Sequence, residues 1–512
     1  MEKSVAIIGA GLCGLISCKY LQEKGFNPIV FEAEDGIGGV WRHTIASTKL
    51  QNHRKSWEFS DFPWHPSVKE DNPNYQQVLD YLNSYAEHFD IIPCIRFNSK
   101  VIDIDYVGES IEEMKSWELW GGNGLPFGSK GKWHITVQDT NNLSTEVYEV
   151  KFVILCLGKF SGVPYIPEFP PGQGPELFKG KVMHSMEYSA MDKESAAALI
   201  KSNKVTIVGS RKSALDTAVE CANANVNHPC TMIQRSTHWH LPDHTAWGIN
   251  LGFLFSRFAE FIILNPGEPF LRSLAFTLLS PLRWGLSKLV ESSLRWKLPM
   301  KKFGLIPSHS FLQDLSTCSS VMLPQKFYDK LTEGSIIIKK SESIGFCKEG
   351  LIIKGEDKPI ETDLVILATG FKGEQKLKSI FKSTIFQKDI INGSLNSSIS
   401  LYRQIIHPRI PQLGIIGYTE DVSNIFAAEM RCQWLAHFLD GRIGLPNIIE
   451  MEKDAKGWEN RMKLKSCIAG NSIWYNDQFC KDMGCNPRRK NGLFAELFEP
   501  YGPADYVGLT RK

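Results

Sequence analysis

No Cys-x-x-Cys pair occurs in this chain, although it carries twelve cysteines scattered from Cys13 to Cys485. Without that spacing neither a structural metal site nor a redox-active dithiol is expected, and the irregular distribution suits reduced thiols in a cytoplasmic protein. An excess of charge is missing too: Lys plus Arg number 58 and Asp plus Glu 56, a formal net charge of +2. That balance gives no electrostatic case for a nucleic-acid partner, so small soluble ligands are expected. Nor is there an unbroken apolar run of the roughly 20 residues that a membrane-spanning helix needs. With no basic stretch ahead of an apolar one at the start, and a charged ending at Leu509-Thr510-Arg511-Lys512, neither a secretory leader nor a C-terminal anchor is expected. The segment from Trp247 to Trp296 is rich in Phe, Leu and Trp, but Arg257, Arg272, Arg283, Lys288, Arg295 and Pro281 interrupt it. It reads as an inserted helical subdomain whose apolar faces pack inward, with contact at a membrane surface as the alternative.

What the chain does have is glycine in the right places. At 512 residues it is long enough for two or three domains and a large core. Ser4 to Ile8 is a short apolar strand that runs into Gly9-Ala10-Gly11-Leu12-Cys13-Gly14 and then into the helix-like ISCKYLQEKG. In this G-x-G-x-x-G turn Gly9 permits the tight bend, Gly11 lets the backbone approach a pyrophosphate, and Gly14 allows close helix packing. The helix N-terminus then presents N–H groups to the phosphates. The next strand, NPIVFEAE, ends at Glu32, whose carboxylate can accept hydrogen bonds from ribose hydroxyls.

A second strand, Lys204 to Val208, leads to Gly209-Ser210-Arg211-Lys212-Ser213-Ala214 and the helix LDTAVECANAN. Arg211 stands where a second glycine would be, and Ala214 is a sterically mild replacement for the third. A Cβ at Arg211 pushes a pyrophosphate outward unless the guanidinium compensates with charge-assisted hydrogen bonds. About 20 residues further on, where such folds place the ribose-recognition residue, stands Arg235. A guanidinium suits a 2′-phosphate, so NADPH is preferred to NADH.

Between the two turns lies Phe178-Lys179-Gly180-Lys181-Val182-Met183-His184-Ser185-Met186-Glu187-Tyr188, and after the first turn the run Gly36-Ile37-Gly38-Gly39-Val40-Trp41-Arg42. Together GAGLCG, GGVW, FKGKVMHSMEY, GSRKSA and the late LATGF at Leu367 to Phe371 resemble class B flavin-containing monooxygenases in order and spacing, over nearly the whole chain. Glu58 to Trp64, the Trp247 to Trp296 insertion and Phe303 to Gln313 resemble a plant branch that includes N-hydroxylating members. The resemblance implies an α/β fold of two Rossmann-like dinucleotide-binding domains, for FAD and NADPH, with an inserted helical subdomain. Gly39, Val40 and Trp41 then form a second FAD contact. It implies residues 1–165 as the first part of the FAD domain, 166–330 as the NADPH domain with the insertion at about 246–302, and 331–512 as the return to the FAD domain.

The activity that this family implies is reduction of FAD by NADPH, capture of dioxygen as a C4a-hydroperoxide, and transfer of the distal oxygen to a soft nucleophile. The protein orients the rings and excludes water, so no nucleophile triad or carboxylate pair is required. In relatives an Asn sits beside the reactive flavin carbon; Gln51 falls in that register and Asn52 is adjacent, so either amide is a candidate for that place. Gly180, His184 and Ser185 are expected to organise the segment between the domains rather than to move protons. N-oxygenation of an amine or cyclic amino acid is the favoured reaction. S-oxygenation of a thioether, auxin-type oxidative decarboxylation, and a nucleotide-binding protein without turnover remain alternatives. Tyr188 replaces the Trp that typically closes the fingerprint of Baeyer–Villiger relatives, and a flavin disulfide reductase would need a cysteine pair that is absent. The partners implied are a small nucleophilic substrate and dioxygen; oligomeric state is open.

Overall fold

The computed structural model describes residues 3–263, 274, 277–391, 399–461 and 467–509. Arg272 and Thr510 to Lys512 lie outside the described residues. Two five-stranded parallel sheets organise the chain. The first runs Leu413–Ile415, Phe152–Leu155, Val5–Ile8, Ile29–Phe31, Ile95–Arg96. The second runs Ile336–Lys340, Cys230–Gln234, Val205–Val208, Leu364–Leu367, Lys181–His184. The runs VAII, FVIL, VTIV and LVIL are buried along their whole length. Continuous apolar runs of this kind are what a parallel sheet covered on both faces demands. In each sheet the strand that feeds a glycine-rich turn is central: its next strand pairs on one side and a much later strand on the other. The strand order therefore reverses at Gly9 and again at Gly209, where open α/β sheets place their ligands.

A three-stranded antiparallel sheet, Ser99–Val107, Lys132–Asp139 and Thr145–Val150, covers part of the first sheet. Its middle strand, Lys132–Asp139, alternates buried and more exposed residues, and Trp133 and Ile135 join Val153 and Leu155 in one core. Return to the first sheet comes later than residue 331. Ile336–Lys340 is an edge of the second sheet and Leu364–Leu367 lies inside it, because both apolar runs find their parallel partners there. Only after Gly370 does the chain go back, to reach Leu413–Ile415.

The insertion is helical, with helices Arg257–Ile263 and Ser280–Lys297. Among the described residues no helix is long and apolar enough to cross a membrane. Packing inward holds for one face only: Val290 and Leu294 are buried, whereas Trp284 and Trp296 remain 66% and 73% exposed. Two connections join the lobes, and they hydrogen-bond to each other. Tyr165 N–H donates to Gly370 O at 2.8 Å, Lys372 N–H to Val163 O at 2.8 Å, and the Thr369 hydroxyl to Tyr165 O.

Candidate functional site

Each glycine-rich turn is pressed against the connection that leaves the neighbouring strand. Gly9 has φ +103°, and a Cβ there would stand 2.6 Å from Cys156 O; Gly209, at φ +155°, would meet Ala368 O at 2.5 Å. Both positions therefore need glycine for conformation and for space. At Gly14 a Cβ would come within 1.8 Å of Gly9 O, so the helix Leu12–Glu23 starts in backbone contact with the turn. Gly11 caps that helix without any side-chain hydrogen bond to its first N–H groups. Donors left uncapped in this way are able to hold a phosphate.

The second stretch of glycines arrives at the same point. A Cβ on Gly39 would lie 3.2 Å from the Gly11 Cα, and Gly38 N–H donates to Ala10 O at 3.1 Å. Val40 is half-exposed, while Trp41 sits in the short 3-10 turn Gly39–His43 and meets Trp57 edge-on at 5.9 Å. Glu32 stands at the end of its strand, 9% exposed, and accepts the Ala10 N–H at 2.6 Å and the Glu34 N–H at 3.0 Å. These two bonds fix the carboxylate against the turn, each oxygen keeping lone pairs for ribose hydroxyls. Lys376 was not legible in the sequence. Its buried ammonium donates to Leu157 O at 2.5 Å and Ser161 Oγ at 2.9 Å, and faces Glu32 and Glu34; burial lowers its pKa from the usual lysine value.

The second turn, Gly209 to Ala214, opens the helix Lys212–Ala224, whose N-cap Arg211 again supplies no capping side chain. Arg211 has φ −109°, an ordinary extended conformation, so glycine is not needed there. Its guanidinium donates to Ser319 Oγ at 3.1 Å, with Glu420 and Asp314 as its nearest counter-charges. Ser210 and Ser213 belong to the same turn; Ser213 O accepts the Thr217 hydroxyl at 2.7 Å, and Lys212 pairs with the buried Asp216. Ala214 is fully buried, so this helix stands a methyl group further from its turn than the first one does. Arg235 follows Cys230–Gln234 directly, exposed and with no ion pair among the described residues.

Gln51 and Asn52 lie on a seam between lobes. Gln51 is exposed and its Oε1 accepts the Met322 N–H at 3.4 Å; Asn52 Nδ2 donates to Val422 O at 2.6 Å. The Asn52 amide nitrogen is thus engaged, whereas that of Gln51 donates to no described residue. The fingerprint segment is architectural. Lys181–His184 is the edge strand beside Leu364–Leu367, the His184 ring accepts the Met186 N–H at 3.2 Å to cap Ser185–Ser189, and the Tyr188 hydroxyl donates to Glu220 at 2.8 Å.

Cys13, Cys156 and Cys432 gather around Ser17 behind the first turn. Burial pushes the Cys13 thiol up to about 11 and the other two upward as well, so none is a ready thiolate. The expectation of uniformly reduced thiols does not hold. Cys318 and Cys467 form a disulfide, with Cα atoms 5.9 Å apart and 149 residues between them in sequence. Cys318 follows the helix Phe311–Ser316 of the second lobe, and Cys467 bridges to Glu420 of the first, a pairing that sequence spacing cannot reveal. The other ten cysteines are free.

A sequence profile described as flavin-binding monooxygenase-like matches residues 2–494. The probable flavin-containing monooxygenase 1 of Arabidopsis thaliana is 41% identical over 521 residues, covering 98% of this chain and 96% of its own. Dimethylaniline monooxygenase (N-oxide-forming) 2 of Oryctolagus cuniculus is 24% identical, covering 97% and 85%. Among solved structures, S-allyl-L-cysteine S-oxygenase from Allium sativum superposes with a TM-score of 0.58 at 17% identity, over 94% of this chain and 89% of that one, a likeness of fold. The chain belongs to the flavin-binding monooxygenase-like family, and with that membership its activity is an NADPH-dependent monooxygenation whose cofactors are FAD and NADPH.

Proposed function

We propose that this monooxygenase places one oxygen atom on the nitrogen of an amine or cyclic amino acid. The observation that supports this choice is the N-oxide-forming relative, aligned over 97% of the chain. The S-oxygenase likeness favours a thioether as the second reading.

In this reading Gly9 to Gly14, Glu32 and Gly39 to Trp41 hold FAD, with the pyrophosphate on the uncapped N–H groups of Leu12–Glu23. Gly209 to Ala214 hold the NADPH pyrophosphate, Arg235 takes the 2′-phosphate, and Arg211 reaches the cofactor from its place on Ser319. Bound FAD, reduced by NADPH, supplies the dioxygen activation and the oxygen transfer. The protein's own part is to bind, orient and keep water away. Gln51 offers an amide N–H at the seam, able to hold a substrate or cofactor oxygen, while Asn52 ties the loop to Val422. A neutral amine attacks through its own lone pair, and the proton that a secondary nitrogen then sheds passes to solvent. A cytoplasmic location belongs to the same proposal and rests on the ten free cysteines.

The test is a panel of a secondary amine, a cyclic amino acid and a thioether incubated with the FAD-loaded protein and NADPH, with products read by mass spectrometry. Gain of one oxygen by the nitrogen compounds is expected. Oxygenation confined to the thioether would replace this reading with the second one, and NADPH oxidation that yields only peroxide would refute both substrate classes.

A further inference from the structure

Where the second lobe's strand Cys230–Gln234 runs out, three side chains from two distant parts of the chain converge on one point. His238 Nδ1 lies 3.2 Å and His309 Nε2 2.7 Å from the same oxygen of Asp314, Oδ1. The three donor atoms all fall within 4.8 Å of one another, the only grouping of its kind among the described residues. His238 and Asp314 are 76 positions apart, which is why no motif announced it.

Their surroundings fix them in place. The second Asp314 oxygen accepts the Trp239 N–H at 2.6 Å, and the indole of the fully buried Trp239 donates to His309 O at 3.0 Å. One buried tryptophan thus anchors both the carboxylate and a histidine segment. His238 Nε2 faces Ser236 Oγ at 3.3 Å, so the ring nitrogen pointing away from the cluster has its own partner. Outer partners that fix ring tautomer and carboxylate orientation are the usual companions of metal ligands. The histidines are partly exposed, at 12% and 23% of the side chain, and Asp314 is buried, at 3%, which leaves a path from solvent to a preorganised carboxylate.

We propose that His238, His309 and Asp314 form a site for a divalent transition cation of the zinc type, with a fourth position open to water. Two imidazoles and one carboxylate are a borderline-soft, three-ligand set that suits Zn²⁺ and rejects Ca²⁺ or Mg²⁺, which ask for oxygen ligands. On binding, each imidazole presents the lone pair of its inward nitrogen, and a proton held there moves to the outward nitrogen or to solvent; the outward nitrogen of His238 faces Ser236. The cation would tie the loop after Cys230–Gln234, three residues past Arg235, to the helix Phe311–Ser316. Ser319, which accepts from Arg211, donates its own N–H to Asp314 O at 2.8 Å, so the cluster is tied to the arginine of the second turn and lies three residues past Arg235.

The experiment uses untagged, FAD-loaded protein stripped with a chelator and titrated with zinc chloride against a chromophoric competitor. One equivalent per chain is expected, weakened at least tenfold in His309→Gln and in His238→Gln and unchanged in His65→Gln, a surface histidine away from the cluster. Cobalt chloride is the second measurement, since imidazole-bound Co²⁺ in a low-coordinate site absorbs visibly, and it is made on the parent protein, so no variant's folding enters it. No zinc binding by the parent protein, binding by both variants as tight as the parent's, or a cobalt spectrum that matches aqueous Co²⁺ would each overturn the proposal; in those cases Asp314 is simply the shared acceptor of two imidazole N–H groups.

Discussion

Replacing Gly14 with alanine tests how tightly the first turn is built. The added methyl would sit 1.8 Å from Gly9 O, a backbone atom that cannot rotate away. Ordinary contact begins near 3.5 Å, so turn and helix must part by about 1.7 Å along that line. Overpacking of this kind typically costs 1–3 kcal/mol, and the upper end of about 3 applies because both partners are backbone. Moving the helix N-terminus away from the phosphates forfeits roughly another 1 kcal/mol of dipole and N–H interaction. Together these reach about 4 kcal/mol, of which the roughly 1 kcal/mol felt by the cofactor corresponds to about fivefold weaker FAD. The assay is flavin retained per chain after gel filtration, with the melting temperature of the flavin-free protein measured separately. Ala214→Gly is the control at the matching position of the second turn, where a methyl is already accommodated; it should leave FAD content unchanged. Full FAD retention by Gly14→Ala at an unchanged melting temperature would refute the argument that contact at this turn holds the cofactor.

Arg235→Ala should raise the KM for NADPH roughly tenfold to hundredfold, the value of one charge-assisted phosphate contact of about 1.5–3 kcal/mol, and leave that for NADH unchanged; equal losses with both would remove Arg235 from 2′-phosphate recognition. Glu260 accepts N–H groups from Ile473 and Trp474, and burial pushes its pKa up to about 8. A carboxyl raised in the folded state stabilises the fold at low pH, and that contribution is lost as pH rises from its ordinary range through about 8. Glu260→Gln should therefore flatten the fall in melting temperature between pH 5 and 8, roughly the window of the shift, and an identical fall in the variant would dismiss Glu260 as its source. Cys318→Ser should cost about 4–5 kcal/mol through the long loop released in the unfolded chain. Alkylation under denaturing, non-reducing conditions should label ten thiols in the parent, and labelling of all twelve cysteines would show that the cross-link is not formed.

The features that could be read from sequence share a property: they are local. Strand, glycine turn and helix follow one another within a few dozen residues, so GAGLCG and GSRKSA announce their own geometry, and Arg235 follows from strand length alone. The run Gly39 to Trp41 was legible only as a second FAD contact, through its resemblance; that Gly39 meets Gly11 is visible in the structure alone. Whatever depends on distant partners was hidden. The strand Ile336–Lys340 reads as apolar and β-branched, but nothing in it says which of two sheets it joins. Gln51 and Asn52 sit one residue apart, yet one reaches Met322 and the other Val422, on different lobes. Glu58 to Trp64, quoted for its likeness to relatives, turns out to be packing: Phe59 N–H donates to the Tyr81 hydroxyl at 2.9 Å, and Trp64 stacks on Tyr81 at 4.1 Å.

The paired connections between lobes have a mechanical meaning. Two lengths of chain that cross side by side and bond to each other, as Val163 to Tyr165 and Gly370 to Lys372 do, bend easily across their plane and resist sliding along it. The Cys318–Cys467 bond is a second attachment between the same lobes at a separate point. Side-chain contacts join the lobes elsewhere too, Thr48 to Asp216, Gln51 to Met322 and Arg257 to Asp477 among them, so the cross-link is a covalent limit set on a broad contact. With it cut, the lobes would keep those contacts and lose only the bound on how far they can part.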